Sequence, residues 1–312
     1  MITRSVGDFM TTYEQYQKLL GPIPKFLEKY LTLDILLRLQ DISLECGMDY
    51  ASPHAYDISF FISRFDHSLS VALNTWRLTH DKAATLAALF HDIATPVFSH
   101  VIDFMNGDAL TQESTEEKTM EILSSNATLQ KFLKMDGLEL DDIIDFKKYS
   151  IVDLERPKMC ADRLDNIIAV GLQIVHTLDY NDVINIVNST SKTINEDGEE
   201  EICFKTLEAA KKIQESNDAF NSLTHSKKDN YMMTLLAKIV KMCLNLSLVS
   251  YDDLFKIGEH DMMDIIEENQ NIDIELQEMW REFKTINNFP PHTPIEVKNK
   301  VVNPLMLSKR LN

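Results

Sequence analysis

Glycine is scarce in this chain, and its scarcity limits both the fold and the kinds of phosphate site that the chain can build. Only 8 of the 312 residues are glycine, whereas average usage of about 7% would give roughly 22. No two glycines are closer than 14 positions, which excludes the G-x-G-x-x-G dinucleotide fingerprint and the G-x-x-x-x-G-K-[ST] phosphate loop. Any phosphate site must therefore be built without a glycine-rich loop.

The distribution of prolines indicates helices. None of the nine prolines lies between residues 158 and 289, and a stretch poor in both glycine and proline is typical of helical structure. The apolar periodicity predicts helices over 9–19, 25–46, 67–79, 82–93, 114–125, 128–134, 158–178, 205–224, 228–247, 252–257 and 261–284.

One segment departs from the helical pattern. In residues 191–204, Asp197 and Gly198 stand between two short β-prone arms, which is a hairpin signal. The predicted fold class is therefore all-α, a helical bundle with a small β-hairpin insertion near 191–204. We expect a single helical domain over 1–288, with its core in 60–180 and further helices in 205–286. The tail, 289–312, holds four prolines and is expected to be extended.

Charge and cysteine content restrict the partners and the compartment. With 31 basic and 49 acidic residues, the formal net charge is −18, so the chain should repel nucleic acids and anionic membranes. Its apolar runs are shorter than the ~20 residues of a spanning helix, and the N-terminus leads into no apolar signal segment. The four cysteines are scattered without a C-x-x-C pair. We expect a cytoplasmic protein with reduced thiols and neither nucleic-acid nor membrane partners.

Three His-Asp dipeptides raise the question of a metal site, and context separates them. His91-Asp92 follows the almost wholly apolar segment 83–90, and a helix that is apolar all round is buried. Charged groups in such a place must be paired or bound to metal. By contrast, Asp81 and Asp261 in the other two dipeptides stand where a helix N-cap is expected.

Two further ligands can be sought on neighbouring helices. His67 begins an apolar helix, and Asp162 lies on the helix predicted over 158–178. Two histidines and two carboxylates from three helices would form a plausible divalent-metal site in a helical bundle. The alternative is that His67 is a core histidine with satisfied hydrogen bonds, and that Asp162 pairs with Arg163 or Arg156.

Three sequence blocks resemble a known superfamily. They read R-F-D-H-S-L-S-V at 64–71, A-L-F-H-D-I-A-T-P-V-F-S-H-V-I-D at 88–103 and D-R-L-D at 162–165. In order and separation they resemble the HD-domain phosphohydrolases. The most similar branch is that of the deoxynucleoside triphosphate triphosphohydrolases, with R-F-x-H-S-L, H-D-x-G-H-x-P-F-S-H and D-[RK]-x-D-Y. The looser resemblance extends over about residues 20–285.

The resemblance implies a role for each matching residue. It implies four ligands for one divalent cation, which could be Mn, Fe, Mg, Zn or Ni: His67, His91, Asp92 and Asp162. It implies a catalytic group made of His100, Asp103 and Glu113. Substrate contacts are implied for Arg64, Arg163, Asn166 and Gln112, of which the two arginines would reach phosphate.

Several positions depart from the family pattern. Thr95 replaces the histidine that binuclear members use for a second metal, Gln112 replaces the histidine of H-E-x-x-S, and Asn166 replaces a tyrosine. Val170 replaces an aspartate, and residues 214–220 lack the arginine expected near the terminal phosphates. The metal centre is complete, whereas the pocket around it is altered.

The resemblance implies a metal-dependent phosphohydrolase whose partner is a small phosphorylated molecule. The leading interpretation is a nucleotide substrate, with triphosphate cleaved from a deoxynucleoside triphosphate. Two alternatives stay open: a phosphatase for nucleoside monophosphates or other phosphoesters, and a nucleotide-binding regulatory protein with impaired catalysis. Oligomerisation is common in the branch, so a homo-oligomer is also compatible with the resemblance.

Overall fold

The computed structural model describes residues 10–110, 118–307 and 309–311. In these ranges the chain forms thirteen α-helices and one small sheet, which confirms the predicted fold class. The helices are α1 (Thr12–Leu19), α2 (Asp34–Leu37), α3 (Arg64–Thr79), α4 (Lys82–Phe90), α5 (Val101–Asn106), α6 (Thr119–Ser125), α7 (Ala127–Asp136), α8 (Ala161–Gln173), α9 (Tyr180–Ser189), α10 (Leu207–Thr224), α11 (Lys227–Asn245), α12 (Glu259–Asn269) and α13 (Ile274–Thr285).

The predicted hairpin is present and gains a third strand from the end of the chain. Strands β1 (Thr190–Ile194) and β2 (Glu200–Phe204) pair antiparallel. In their turn, Gly198 adopts a φ of +85°, which glycine allows without steric cost. Strand β3 (Leu305–Met306) pairs parallel with β2. The tail is therefore attached to the sheet by backbone hydrogen bonds.

Several helix predictions differ from the structure. The helix predicted over 261–284 is divided into α12 and α13, the one over 252–257 is a 3-10 helix (Tyr251–Phe255), and α5 was not predicted. Residues 25–46 form short pieces instead of one helix: 3-10 turns at Tyr30–Thr32 and Arg38–Asp41 flank α2. After Asp41 the chain is extended. The carbonyl oxygen of Ile42 there accepts a hydrogen bond from the backbone amide of Arg64, the first residue of α3. Helix α9 was not predicted. Its asparagine and aspartate residues have a low intrinsic helix propensity. Asp179 nevertheless stabilises the start of the helix, because its side chain forms a capping box with Asp182.

Helix packing brings distant segments together at one place. Helix α3 packs against α4 and α8, and α8 packs against α10. Asp81 caps α4 as predicted, since its side chain accepts the amides of Ala83 and Ala84. Every residue of α4 from Ala84 to Phe90 is buried. The first turn of α3, the end of α4 and the first turn of α8 therefore meet inside the protein.

Within the described ranges, no helix combines the length and the apolar character needed to cross a lipid bilayer.

Helix α4 provides a test of the packing. Leu86 is fully buried at its centre, so Leu86→Ala should lower the free energy of unfolding by about 2–5 kcal/mol through lost burial and a residual cavity. Met135 on α7 is 65% exposed, and Met135→Ala should change the same quantity by less than about 0.5 kcal/mol. Urea denaturation measures both, and equal losses would contradict the placement of α4.

Candidate metal centre

Three helices place two histidines and two carboxylates around one point. His67 lies in the first turn of α3, His91 and Asp92 follow α4, and Asp162 lies in the first turn of α8. The Nε2 atom of His67 is 3.1 Å from Oδ1 of Asp162 and 3.9 Å from Oδ2 of Asp92. The Nε2 atom of His91 lies 3.7 Å from each of the same two oxygens.

These separations suit a shared metal ion. Bonds of about 2.1 Å place neighbouring ligand atoms roughly 3 Å apart at right angles, and farther apart at wider angles. The four distances, 3.1–3.9 Å, fall in that range. His67, His91 and Asp162 each offer one ligand atom within 4.8 Å of the others. Two imidazoles with carboxylate oxygens suit first-row transition metals better than Mg²⁺ alone.

Each histidine is oriented by its other ring nitrogen. Nδ1 of His67 lies 2.6 Å from Oδ2 of Asp165, and Nδ1 of His91 lies 2.7 Å from the Ala88 carbonyl oxygen. A carbonyl oxygen only accepts, so Nδ1 of His91 carries the hydrogen and Nε2 presents its lone pair to the cluster. Oδ2 of Asp165, as a hydrogen-bond acceptor, has the same effect on His67. Such outer partners fix the tautomer and raise the basicity of a metal-binding histidine.

Asp165 is a site residue that the sequence reasoning missed. It is fully buried, and its Oδ2 also accepts a 2.8 Å hydrogen bond from the Tyr13 hydroxyl on α1. The signal in the sequence was the D-x-x-D spacing, since residues three apart on a helix point in similar directions. His67 is thus satisfied at Nδ1, as the alternative interpretation expected, while Nε2 faces the cluster.

The electrostatic surroundings keep the two acidic ligands ionised. Burial alone would raise the pKa of Asp92, but the charges of His91 and Arg64 outweigh it and hold that pKa below its usual range. For Asp162, hydrogen bonds from His67 and His91 overcome burial and lower the pKa. Burial likewise opposes the charging of His67, yet the hydrogen bonds to Asp162 and Asp165 raise its pKa to about 10, so a metal ion that binds Nε2 would displace a proton from it. The cluster thus favours positive charge at its centre.

Arg64 and Arg163 occupy different situations beside the cluster. Arg64 is buried, and its Nη1 donates to Oδ2 of Asp92 at 2.8 Å. Arg163 is also buried, but its guanidinium donates to the carbonyls of Lys158 and Leu154 and pairs with Asp153 at 3.0 Å. The protein itself therefore already uses several of the Arg163 donors. Asp162 contacts the two histidines, so the alternative pairing of Asp162 with Arg163 is not observed.

His100 and Asp103 form a pair near the cluster. Nδ1 of His100 lies 2.8 Å from Oδ2 of Asp103, which is fully buried. Burial lowers the pKa of His100, and the positive charges of Lys300 and Arg64 lower it further, against the opposing effect of Asp103. At neutral pH the imidazole is therefore uncharged, with Nδ1 donating to Asp103.

One cavity connects these groups. It has a volume of about 260 Å³. The predicted site residues on its wall are Arg64, His67, His91, Asp92, His100, Asp162, Arg163 and Asn166. Gln112 and Glu113 lie outside the described residues. Asp103 does not line the cavity, but its carboxylate contacts His100, which does.

Sequence reasoning did not anticipate the cations that complete the wall. They are Arg156 from the loop before α8, and Lys298 and Lys300 from the tail. No periodic pattern or motif marked them, because loops bring them to the cavity.

Comparison with known proteins agrees with this geometry. Residues 64–170, which contain all four candidate ligands, match the model of the family described as HD domain. This segment is therefore similar to HD domains. The family is one of metal-dependent phosphohydrolases, and its members bind divalent metals.

A relative in Bacillus subtilis (strain 168) aligns with about a third of this chain. It is the uncharacterized protein YdhJ, which is 25% identical over 105 residues. The match covers 33% of this chain and 32% of the relative, so the chain spans about a third of the length of that relative. The relative's name adds no information on substrate.

The orienting role of Asp165 can be tested by metal binding. Asp165→Asn should weaken binding of Mn²⁺ or Zn²⁺ by about 10–100-fold, because the amide no longer holds the tautomer of His67 that exposes Nε2. Asp218→Asn makes the same chemical change at an exposed position on α10 and should leave affinity unchanged. Isothermal titration calorimetry measures both, with circular dichroism confirming the fold. Wild-type affinity in Asp165→Asn would contradict the assigned role.

Proposed function

We propose that this protein is a metal-dependent phosphohydrolase that acts on a nucleotide. The observation that supports it best is the convergence of His67, His91, Asp92 and Asp162 on the wall of a cavity that also contains Arg64. A metal beside an arginine is a common arrangement for neutralising and attacking a phosphate group. The HD-domain match supports the same class of reaction.

In this proposal, one divalent cation held by the four ligands would polarise a phosphate oxygen and lower the pKa of a bound water. Thr95 occupies the place of a second-metal histidine, which is why one cation is proposed. The other contributions come from side chains. Arg64, fixed by its ion pair with Asp92, neutralises negative charge on the phosphate.

His100 is proposed as the acid–base group. Asp103 holds the hydrogen on Nδ1, so Nε2 of the neutral ring is available to accept a proton from the attacking water and later to pass it to the leaving group. Arg163 forms part of the wall and orients the loop that contains Asp153. Asn166, a turn after Asp162 on α8, is proposed as a polar contact to the substrate.

The identity of the substrate has a leading candidate and an alternative. The resemblance of the three motifs favours release of triphosphate from a deoxynucleoside triphosphate. The cavity of about 260 Å³ lies just below the ~300–1,000 Å³ of typical ligand pockets, which favours a smaller phosphoester as the alternative. A panel of divalent metals and nucleotides, with tripolyphosphate, pyrophosphate and orthophosphate resolved as products, separates these possibilities. Binding of a nucleotide without turnover across the panel would instead identify a regulatory protein.

The proposed setting follows from charge and cysteine chemistry. All four cysteines are free thiols, and we propose that the protein works in the reducing cytoplasm on a small molecule, without nucleic-acid or membrane partners. Association of copies into a homo-oligomer is compatible with this proposal.

Two histidine variants with the same chemical change test the metal centre. His91→Gln should lower the rate of phosphoester hydrolysis at least about 100-fold, because metal catalysis contributes several kcal/mol to barrier lowering. His260 belongs to the His-Asp pair at the start of α12. It is exposed and contacts Asp41, so His260→Gln should keep wild-type activity. Steady-state assays with each metal provide the comparison, and equal activity of the two variants would exclude the proposed centre.

The acid–base assignment makes a prediction about pH. Because burial lowers the pKa of His100 from its ordinary value of about 6.5, activity that needs the neutral ring is lost only below about pH 6.5. Asp103 raises that pKa, so Asp103→Asn should move the acidic limb to lower pH as well as reduce kcat. His100→Gln should reduce kcat by about 10²–10⁴ with unchanged metal affinity. A pH–rate profile that moves upward in Asp103→Asn would contradict the pairing.

A further inference from the structure

The tail crosses the cavity at a position fixed by asparagine side chains. Asn230 on α11 exchanges two hydrogen bonds with the backbone of Ile295, at 2.6 and 2.9 Å. Asn217 on α10 donates to the carbonyl of Lys300 at 2.7 Å, and the amide of Lys300 donates to Asn221 at 2.8 Å. We call residues 295–303 the C-terminal strap. Its backbone accounts for these four hydrogen bonds, and the buried side chain of Val302 also packs into the core.

The strap brings the side chain of Lys300 to the cavity wall beside Arg156. The ammonium nitrogen lies 5.5 Å from the centre of the Phe220 ring on α10. Arg156 donates from Nη1 to the carbonyl of Val301 at 3.2 Å. Among the described residues, no carboxylate oxygen lies within 4.0 Å of either cation. Two positive groups thus converge without a direct ion-pair partner among the described residues, while Asp162 and Asp153 attract the charge of Arg156 from farther away.

Their surroundings make this convergence unfavourable unless an anion is present. Burial lowers the pKa of Lys300, and the charges of Arg156 and Arg64 lower it further. Three other carboxyls line the same cavity. Asp153 pairs with Arg163, and burial raises the pKa values of Glu45 and Asp229 to about 8 and about 6. Glu45 is therefore mostly uncharged at neutral pH, and the carboxylate of Asp229 accepts the Tyr56 hydroxyl.

The chain as a whole has a net charge of −18, so this excess of positive charge is confined to one part of the cavity wall. Half-buried cations that lack a carboxylate partner are characteristic of sites that bind anions. Arg64 and the metal ligands lie together around one point, which accounts for one phosphate group. Arg156 and Lys300 are additional to that set.

We propose that Arg156 and Lys300 form a second anion-binding group, and that the substrate therefore carries a second phosphate next to the one held at the metal ligands. This inference rests on the proposed phosphohydrolase function and narrows its substrates to diphosphates and triphosphates.

A pair of non-hydrolysable probes tests the second group. Methylphosphonate carries one anionic group, and methylenediphosphonate carries two. Calorimetry on the full-length protein with Mn²⁺ should give at least about tenfold tighter binding of the diphosphonate. Lys300→Gln should weaken diphosphonate binding about tenfold, the size of one charged hydrogen bond, and change methylphosphonate binding less than twofold. Arg156→Gln should behave alike.

Matched variants separate recognition from structure. Lys300→Arg keeps the charge and should retain most of the diphosphonate affinity. Lys238→Gln removes one positive charge from an exposed position on α11 and should have no effect. Because the strap is held through the backbone of Lys300, the melting temperature of Lys300→Gln should equal that of the wild type.

Three results would overturn the second group: equal binding of both probes by the wild type, equal weakening of both in Lys300→Gln, or no change in that variant. Failure of the hydrolase proposal has a different signature. It would appear as phosphoester hydrolysis that persists in His91→Gln, whatever the strap variants do to binding of the probes.

Discussion

The placement of ionisable groups inside a helical protein is the constraint on which the rest of this structure depends. Asp92 and Asp162 lie where water is scarce, and ionised carboxylates there are stable only beside positive or hydrogen-bonding partners. Arg64 and the two histidines provide those partners. The apolar helix α4 can therefore end in His91-Asp92 without leaving a charge unpaired.

A single buried carboxylate extends this arrangement outward. Asp165 on α8 contacts His67 on α3 and accepts a hydrogen bond from Tyr13 on α1, and the Tyr13 hydroxyl oxygen can also accept from the Ser70 hydroxyl, 3.1 Å away. Three helices that are distant in sequence are thereby linked through polar contacts in the core. A satisfied polar network of this kind restricts the core to one arrangement, and here that arrangement also orients a candidate metal ligand.

The sequence predicted the parts of this picture that depend on local pattern. The apolar segment before His91 and the Asp197-Gly198 turn are short-range signals, and both the helical fold and the hairpin are confirmed. The helix predicted over 25–46 was wrong because tertiary pairing of Ile42 with Arg64 overrides apolar periodicity there. Arg156 and Lys300 could not be found from the sequence, since loops without periodicity bring them to the cavity. The catalytic and substrate roles assigned by resemblance stay predictions.

The parallel pairing of β3 with β2 has a consequence for folding. Leu305 pairs with Cys203, about a hundred positions earlier in the chain, whereas β1 and β2 are joined by a short turn. Closing so long a loop costs more entropy and is slower than forming local contacts. The hairpin and the HD helices can form among themselves, but the wall of the cavity that contains Lys300 is complete only when the distant strand docks. Maturation of the pocket is therefore expected as a late folding step, after the helices that hold the metal ligands have packed.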